Sequence, residues 1–281
     1  MDRNEKIIRS TDYDALSCRI SACKKHYLDD KYLQNVIHGL EKFLRFENKI
    51  SSRRVFNGIV NSVKLPIINR GTYIRTKSID YVIEEFLREF DGQQVQIVNL
   101  GAGSDTRAFQ ILASRENINW VEFDFKDSTK LKKAIITTDQ VLANAVGVDF
   151  VPVDDFEIFY TELDDTLISE KYKLISIDLR DIETLKTIIS TELDLNAPTL
   201  IISECMLCYT ESSVSTNIIQ SIRSHFTKGV FAIYDPIGGE DNFGSVMIDN
   251  LKIRNISMPS LLEFNTLEKY SQRLQELGIK D

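Results

Sequence analysis

The run Asn99-Leu-Gly101-Ala-Gly103-Ser-Asp105-Thr-Arg107 sets two glycines, which let backbone come close to a ligand, just ahead of charged residues. A turn of this kind either cradles a nucleotide-like ligand or simply joins a strand to a helix. Thr106 stands where a dinucleotide fingerprint has its third glycine, which argues against a pyrophosphate seated on the helix start. About twenty residues on, Glu122-Phe-Asp124 offers a carboxylate that can accept hydrogen bonds from a ribose diol. Asp124 can instead cap the helix that follows. In Asp178-Leu-Arg-Asp181, Asp178 is suited to accept from an adenine amino group with Leu179 packed beside the ring, unless these acids only begin the next helix. Glu204 emerges from Leu200-Ile-Ile-Ser203, where an unpaired charge is costly, so it needs a cationic partner. That partner is either the α-ammonium of an amino-acid-containing cofactor or a structural arginine. Cys205-Met-Leu-Cys208 has CxxC spacing, but no second cysteine pair or nearby His completes a site, and no metal is expected.

Each of these groups follows an apolar, β-type run, namely 95–100, 118–124, 172–177, 199–203 and 230–234. Segments long enough for crossover helices separate them. That alternation predicts a doubly wound α/β domain with a mostly parallel sheet covered on both faces, and ligand chemistry at the carboxyl ends of the strands. Upstream, Leu33, Val36, Ile37, Leu40, Phe43 and Leu44 share one helical stripe within 31–44. Ile79, Val82, Ile83, Phe86, Leu87 and Phe90 do the same within 78–91. A helical layer, acting as a lid or simply packed on the sheet, is thus expected over 1–92, ahead of the core at 93–281, in one domain. Residues 130–146 read as one helix with Gly147 as its stop.

The chain has 281 residues, 43% hydrophobic and 27% charged, enough for a full-sized core. A formal charge of −8 argues against a nucleic-acid partner. No apolar run approaches the ~18 residues a membrane span requires, and the N-terminus is charged where a signal peptide is apolar. A cytoplasmic protein with four reduced cysteines and no membrane partner is expected.

Five segments in order, Thr11-Asp-Tyr-Asp-Ala-Leu-Ser-Cys-Arg19, Pro66-Ile-Ile-Asn-Arg-Gly-Thr-Tyr-Ile-Arg75, Val98-Asn-Leu-Gly-Ala-Gly-Ser-Asp105, Ile202-Ser-Glu-Cys-Met-Leu-Cys-Tyr209 and Tyr234-Asp-Pro-Ile-Gly-Gly239, resemble the leucine carboxyl methyltransferases, most closely their fungal form. The resemblance implies a Rossmann-like, S-adenosylmethionine-dependent fold. It also implies methylation of the C-terminal leucine of the protein phosphatase 2A catalytic subunit, with S-adenosylhomocysteine as product and the enzyme a monomer. Carried over by position, Arg19 meets the donor's carboxylate, and Arg75 lies near that carboxylate and the transfer site. Gly101 and Gly103 form the glycine turn, Asp124 is the ribose acid, Asp178 and Leu179 meet adenine, Glu204 is a donor-binding acid, and Tyr209 faces the transfer centre. Family members continue beyond Asp281 through the last antiparallel strands, which this sequence lacks. A related branch acting on a modified tRNA base, or a donor-binding regulator without activity, is the alternative. The implied chemistry needs no general base, because a free α-carboxyl with pKa ~3.5 is already an anion at neutral pH. The lid helices between Asp12 and Phe46 are the expected contact with a folded acceptor.

Overall fold

Val95-Gln-Ile-Val-Asn-Leu100 is buried at every position, as a strand covered on both faces must be, and forms β1 (Val95–Leu100). The computed structural model describes residues 3–47 and 51–279, with side chains from Ser10 onward. The other strands are β2 (Ile118–Asp124), β3 (Leu167–Ile168), β4 (Tyr172–Ser176), β5 (Thr199–Glu204) and β6 (Gly229–Tyr234). They lie in the order β3-β4-β2-β1-β5-β6, all parallel except β3, which runs antiparallel to β4. A two-residue edge strand such as β3 leaves no periodicity to read. The chain winds outward from β1 through β2 to β4, then returns to place β5 on the other side of β1. Strand order therefore reverses between β1 and β5, the place where open α/β sheets bind ligands. Register sets Leu100 opposite both Phe123 and Ser203, and Glu204 opposite Tyr234, so Gly101, Asp124 and Glu204 leave the sheet along one edge.

Four helices precede the sheet: α1 (Arg3–Lys24), α2 (Leu33–Glu47), α3 (Ser52–Val60) and α4 (Pro66–Glu89). The expected helix at 78–91 is the second half of α4, which starts at Pro66. There the ring's fixed φ and missing N–H suit the first helical turn. Its first half was not legible because Ile67 and Ile74 lie exposed, off the buried stripe. The helices α5 (Arg107–Leu112), α6 (Lys126–Thr137), α7 (Gln140–Val146), α8 (Phe156–Glu162), α9 (Ile182–Glu192) and α10 (Ser212–Arg223) follow, and α11 (Asn242–Ile253), α12 (Pro259–Glu263) and α13 (Leu267–Glu276) end the described chain. The single helix expected over 130–146 is instead two. Asp139 accepts from the N–H groups of Val141 and Leu142 and starts α7 as an N-cap, while Gly147, at φ +74°, stops it as expected. Lys280 and Asp281 lie outside the described residues.

Alternate residues of β1 feed two cores: Ile97 joins Leu40, Phe43, Ile83 and Trp120 on the helical-layer face, and Val98 joins Phe123, Leu185, Ile201 and Ile219 on the other. One charge sits inside this packing. Glu122 on β2 has a side chain with 0% exposure, and it accepts from Lys132 Nζ (2.5 Å), Tyr172 Oη (2.8 Å) and Trp120 Nε1 (3.1 Å). Lys132, on α6, also donates to the carbonyl of Asp105 at 2.9 Å, which ties the interior of the sheet to the glycine turn. Burial pushes the Glu122 carboxyl above its ordinary range, and Lys132 opposes that push. Replacing Lys132 by Ala leaves a buried carboxylate without its cation and is expected to cost about 3 to 5 kcal/mol. Urea unfolding of wild type and Lys132→Ala measures it, and a loss under about 1 kcal/mol would show that the pair carries no net weight.

Candidate active site

The turn after β1 is shaped by glycine. Gly101 has φ +65° and a Cβ there would stand 2.6 Å from Met206 Cγ, while Gly103 has φ +48° and a Cβ there would stand 2.4 Å from Asp12 Oδ1. Asp12, from α1, reaches into this turn and accepts from Ser104 N–H (2.8 Å) and Ser104 Oγ (2.7 Å). A cleft lined by Asp12, Gly103, Ser104, Ser128 and Lys132 opens beside it. On the far side, Asp124 accepts from the N–H of Gly103 (2.7 Å) and of Phe125 (2.7 Å). Its carboxylate thus braces the glycine turn, and Phe125 rather than Asp124 is the N-cap of α6. Burial pushes the Asp124 carboxyl up to about 6 in spite of these two donors.

Glu204, at the end of β5, has arginines on both of its oxygens. Arg75 Nε donates to Oε1 at 2.5 Å and Arg107 Nη1 to Oε2 at 2.6 Å. Of the two partners the sequence left open, an arginine is the one the chain itself supplies. Arg107 has a side chain only 4% exposed and also reaches Asp105 Oδ2 (2.8 Å), Asp80 Oδ1 (2.9 Å) and the carbonyl of Thr76 (3.4 Å). Burial works against its charge, but Asp105, Glu204 and Asp80 together raise its pKa well above that of a free arginine. Asp105 is likewise opposed by burial yet held far below the usual carboxylate range by Arg107, Arg19 and Lys132.

The remaining predicted residues divide in two. Arg19 pairs through Nε with Asp30 at 2.7 Å, and Asp30 also accepts from Thr106 Oγ1 at 2.6 Å, so Arg19 is joined to the glycine turn through a buried acid. Tyr209 lies in a short 3-10 turn, Leu207–Tyr209, directly after β5, with Arg75 in its electrostatic surroundings. Burial, then the neighbouring Cys208, pushes its hydroxyl above the ordinary tyrosine range, which keeps it a hydrogen-bond donor. Asp178 stands apart at the end of β4, engaged by Arg180 Nε at 2.8 Å and Nη2 at 2.6 Å, and Leu179 is buried in the second core. Asp181, not Asp178, caps α9. Cys205 adopts φ +55° beside Arg75, and burial pushes its thiol up to about 12. It is a neutral group at neutral pH, and among the described residues no three His, Cys, Asp or Glu side chains form a metal site.

Asp12, Asp30, Asp80, Asp105 and Arg107 went unread as site residues. Asp12, Asp105 and Arg107 stood inside motifs already quoted. Asp80 carried no signal, because its partner is twenty-seven positions away in sequence.

A model of the leucine carboxyl methyltransferase family matches residues 7–223. The chain belongs to the leucine carboxyl methyltransferase family. It is 38% identical over 283 residues to leucine carboxyl methyltransferase 1 of Yarrowia lipolytica, covering 98% of this chain and 82% of that protein. It is 32% identical over 276 residues to leucine carboxyl methyltransferase 1 of Schizosaccharomyces pombe, covering 98% and 79%. With the leucine carboxyl methyltransferase 1 homolog of Arabidopsis thaliana it shares 32% identity over 261 residues, covering 92% and 70%. It is therefore a methyltransferase of this family. No helix among its described residues is long and apolar enough to cross a membrane.

The pKa of Asp124 gives a sign that can be checked. Because the folded value is raised, to about 6 from an ordinary 3.8, the stability it contributes is present below about pH 4 and is lost as pH rises through 6. A carbon-13 titration of the labelled Asp124 carboxyl should show a midpoint near 6; a midpoint near 4 would mean the group is not desolvated.

Proposed function

We propose that residues 1–281 act as one methyltransferase unit that transfers a methyl group from S-adenosylmethionine to the α-carboxylate of a C-terminal leucine, and that the acceptor is the protein phosphatase 2A catalytic subunit. The observation that carries this reading is the convergence at the switch point of Asp124, the glycine turn, and the Arg75–Glu204–Arg107 group on one sheet edge. The donor set fits an amino-acid nucleoside. Asp124 is the acceptor for a ribose diol, Glu204 the anion for an α-ammonium, and Arg75 and Arg19 are cations for a carboxylate, while Gly101 and Gly103 give the turn its left-handed backbone and make room for Met206 and Asp12. Leu179 and Asp178, at the end of β4, are the adenine contacts in this reading.

When bound, the donor supplies a methyl carbon made electrophilic by its sulfonium. The protein's own residues have a simpler task than in acid–base catalysis. The acceptor is already ionised, so no side chain has to remove a proton from it. Arg75 is only partly exposed, at 31% of its side chain, and offers a planar fork that can orient a carboxylate. Tyr209, kept protonated by burial, can donate one hydrogen bond at the same place without competing as a nucleophile. The α1–α4 layer, packed against the sheet, excludes water, and stripping water from a carboxylate raises its reactivity.

Incubating the protein with methyl-labelled S-adenosylmethionine and either the phosphatase catalytic subunit or tRNA tests the reading. Label on the phosphatase that is released by mild base, as an ester is, supports it; label on tRNA, or on neither, overturns it. Within that assay Arg75→Lys should lower kcat more than about tenfold while unfolding free energy changes by under about 1 kcal/mol, since lysine keeps the charge but not the fork. Near-normal turnover would reduce Arg75 to a structural partner of Glu204.

A further inference from the structure

From Ser51 to Lys77 the chain carries Arg53, Arg54, Lys64, Arg70, Arg75 and Lys77 and not one acidic residue, although the whole protein has a formal charge of −8. The same stretch holds large apolar side chains out in solvent: Val63 is 90% exposed, Leu65 68%, and Ile67 and Ile74 57% each. Exposed apolar residues singly are ordinary, but a run of them interleaved with cations from the end of the α3–α4 connection into α4 is a surface shaped for a partner.

Helix geometry makes the run continuous. Residues advance about 100° each, so Ile67, Arg70, Ile74 and Tyr81 share one solvent-facing stripe of α4, opposite Asn69, Thr76, Ile79 and Ile83, which are buried. Arg75 is the next residue after Ile74, turned one step towards the sheet, where it meets Glu204. The stripe from Ile67 to Ile74 is about 10 Å long, which is about three residues of extended peptide. A chain end brought to Arg75 along α4 therefore has its preceding residues over this stripe.

We propose that this cationic, apolar stripe, from Val63 and Lys64 through Arg70 to Ile74, is the docking surface for an acidic, partly apolar segment of the acceptor protein that lies upstream of its reacting chain end. The inference rests on the carboxyl-methylation reading above. Charge complementarity selects the occupant: the rest of the molecule, net negative, repels an acidic segment, whereas this stretch, with six cations and no acid, attracts it. It also moves the expected contact. Between Asp12 and Phe46 the six bases stand against Asp12, Asp14, Asp29, Asp30 and Glu41, a net charge of +1 where Ser51 to Lys77 carries +6, so that part of the helical layer offers a much weaker field.

The test compares wild type with two double variants, Lys64→Glu with Arg70→Glu and Ile67→Ser with Ile74→Ser. Each is assayed for methyl transfer to the intact phosphatase catalytic subunit, for S-adenosylmethionine binding by calorimetry, and for co-sedimentation with phosphatidylserine-containing vesicles. Both variants should raise KM for the protein acceptor by about tenfold or more, with kcat and donor affinity within about twofold of wild type. Raising salt to about 0.5 M should raise the wild-type KM and leave that of the charge variant nearly unchanged. An active wild type whose KM is untouched by either variant overturns the docking surface and leaves the carboxyl-methylation reading standing. Unchanged KM together with vesicle binding that the variants abolish reassigns the stripe to a lipid surface and likewise overturns it. A wild type that binds donor but methylates no phosphatase overturns the reading itself, and the docking surface with it.

Discussion

Arg107 is a guanidinium with almost no access to water, held by Asp80 from α4, Asp105 from the glycine turn and Glu204 from β5. An ion buried this deeply is stable only if all its partners are in place, so three elements far apart in sequence must meet at one point for the chain to fold. That constraint fixes the distance between the helical layer and the switch point of the sheet. It also explains how Glu204 can sit at the end of an apolar strand, because each of its oxygens meets an arginine.

The positions of the other site residues follow from this one. Arg75 lies on the same helix as Asp80, one turn and a half earlier, and shares Glu204 with Arg107. The turn that carries Asp105 is held from below by Lys132, which in turn neutralises Glu122 inside the sheet. It is held from the side by Asp124 and from above by Asp12. A short glycine turn is thereby braced by three charged groups, which is how a flexible sequence becomes a preorganised ligand edge.

Much of this was legible in the sequence because the strands of a covered parallel sheet are mostly apolar, and five of the six strands announced themselves that way, although the edge strand β6 is only partly buried. The polar residue at each strand end marked the ligand edge, while a charge inside such a run, as Glu122 is in β2, needs a buried partner such as Lys132. Three features were hidden. The helix α1 has no strong apolar stripe, so periodicity could not find it, and Asp12 went unread with it. The division of 130–146 into α6 and α7 depends on one side chain, Asp139, turning back to cap α7, which an apolar count does not register. Arg107 was visible inside a quoted motif, but a charged residue at a helix start reads as solvated until the acids that enclose it, Asp80 and Glu204, are known to be neighbours.

The coupling between Arg107 and Glu204 is the most direct measure of this arrangement. Unfolding free energies for wild type, Arg107→Met, Glu204→Gln and the double variant form a thermodynamic cycle. If the buried guanidinium holds the helical layer to the sheet through Glu204, the two substitutions interact by about 1 to 3 kcal/mol, the double variant being less damaged than the sum of its parts. Additivity within about 0.5 kcal/mol would contradict the account, because it would mean that Arg107 and Glu204 contribute independently and that the switch point is positioned by packing alone.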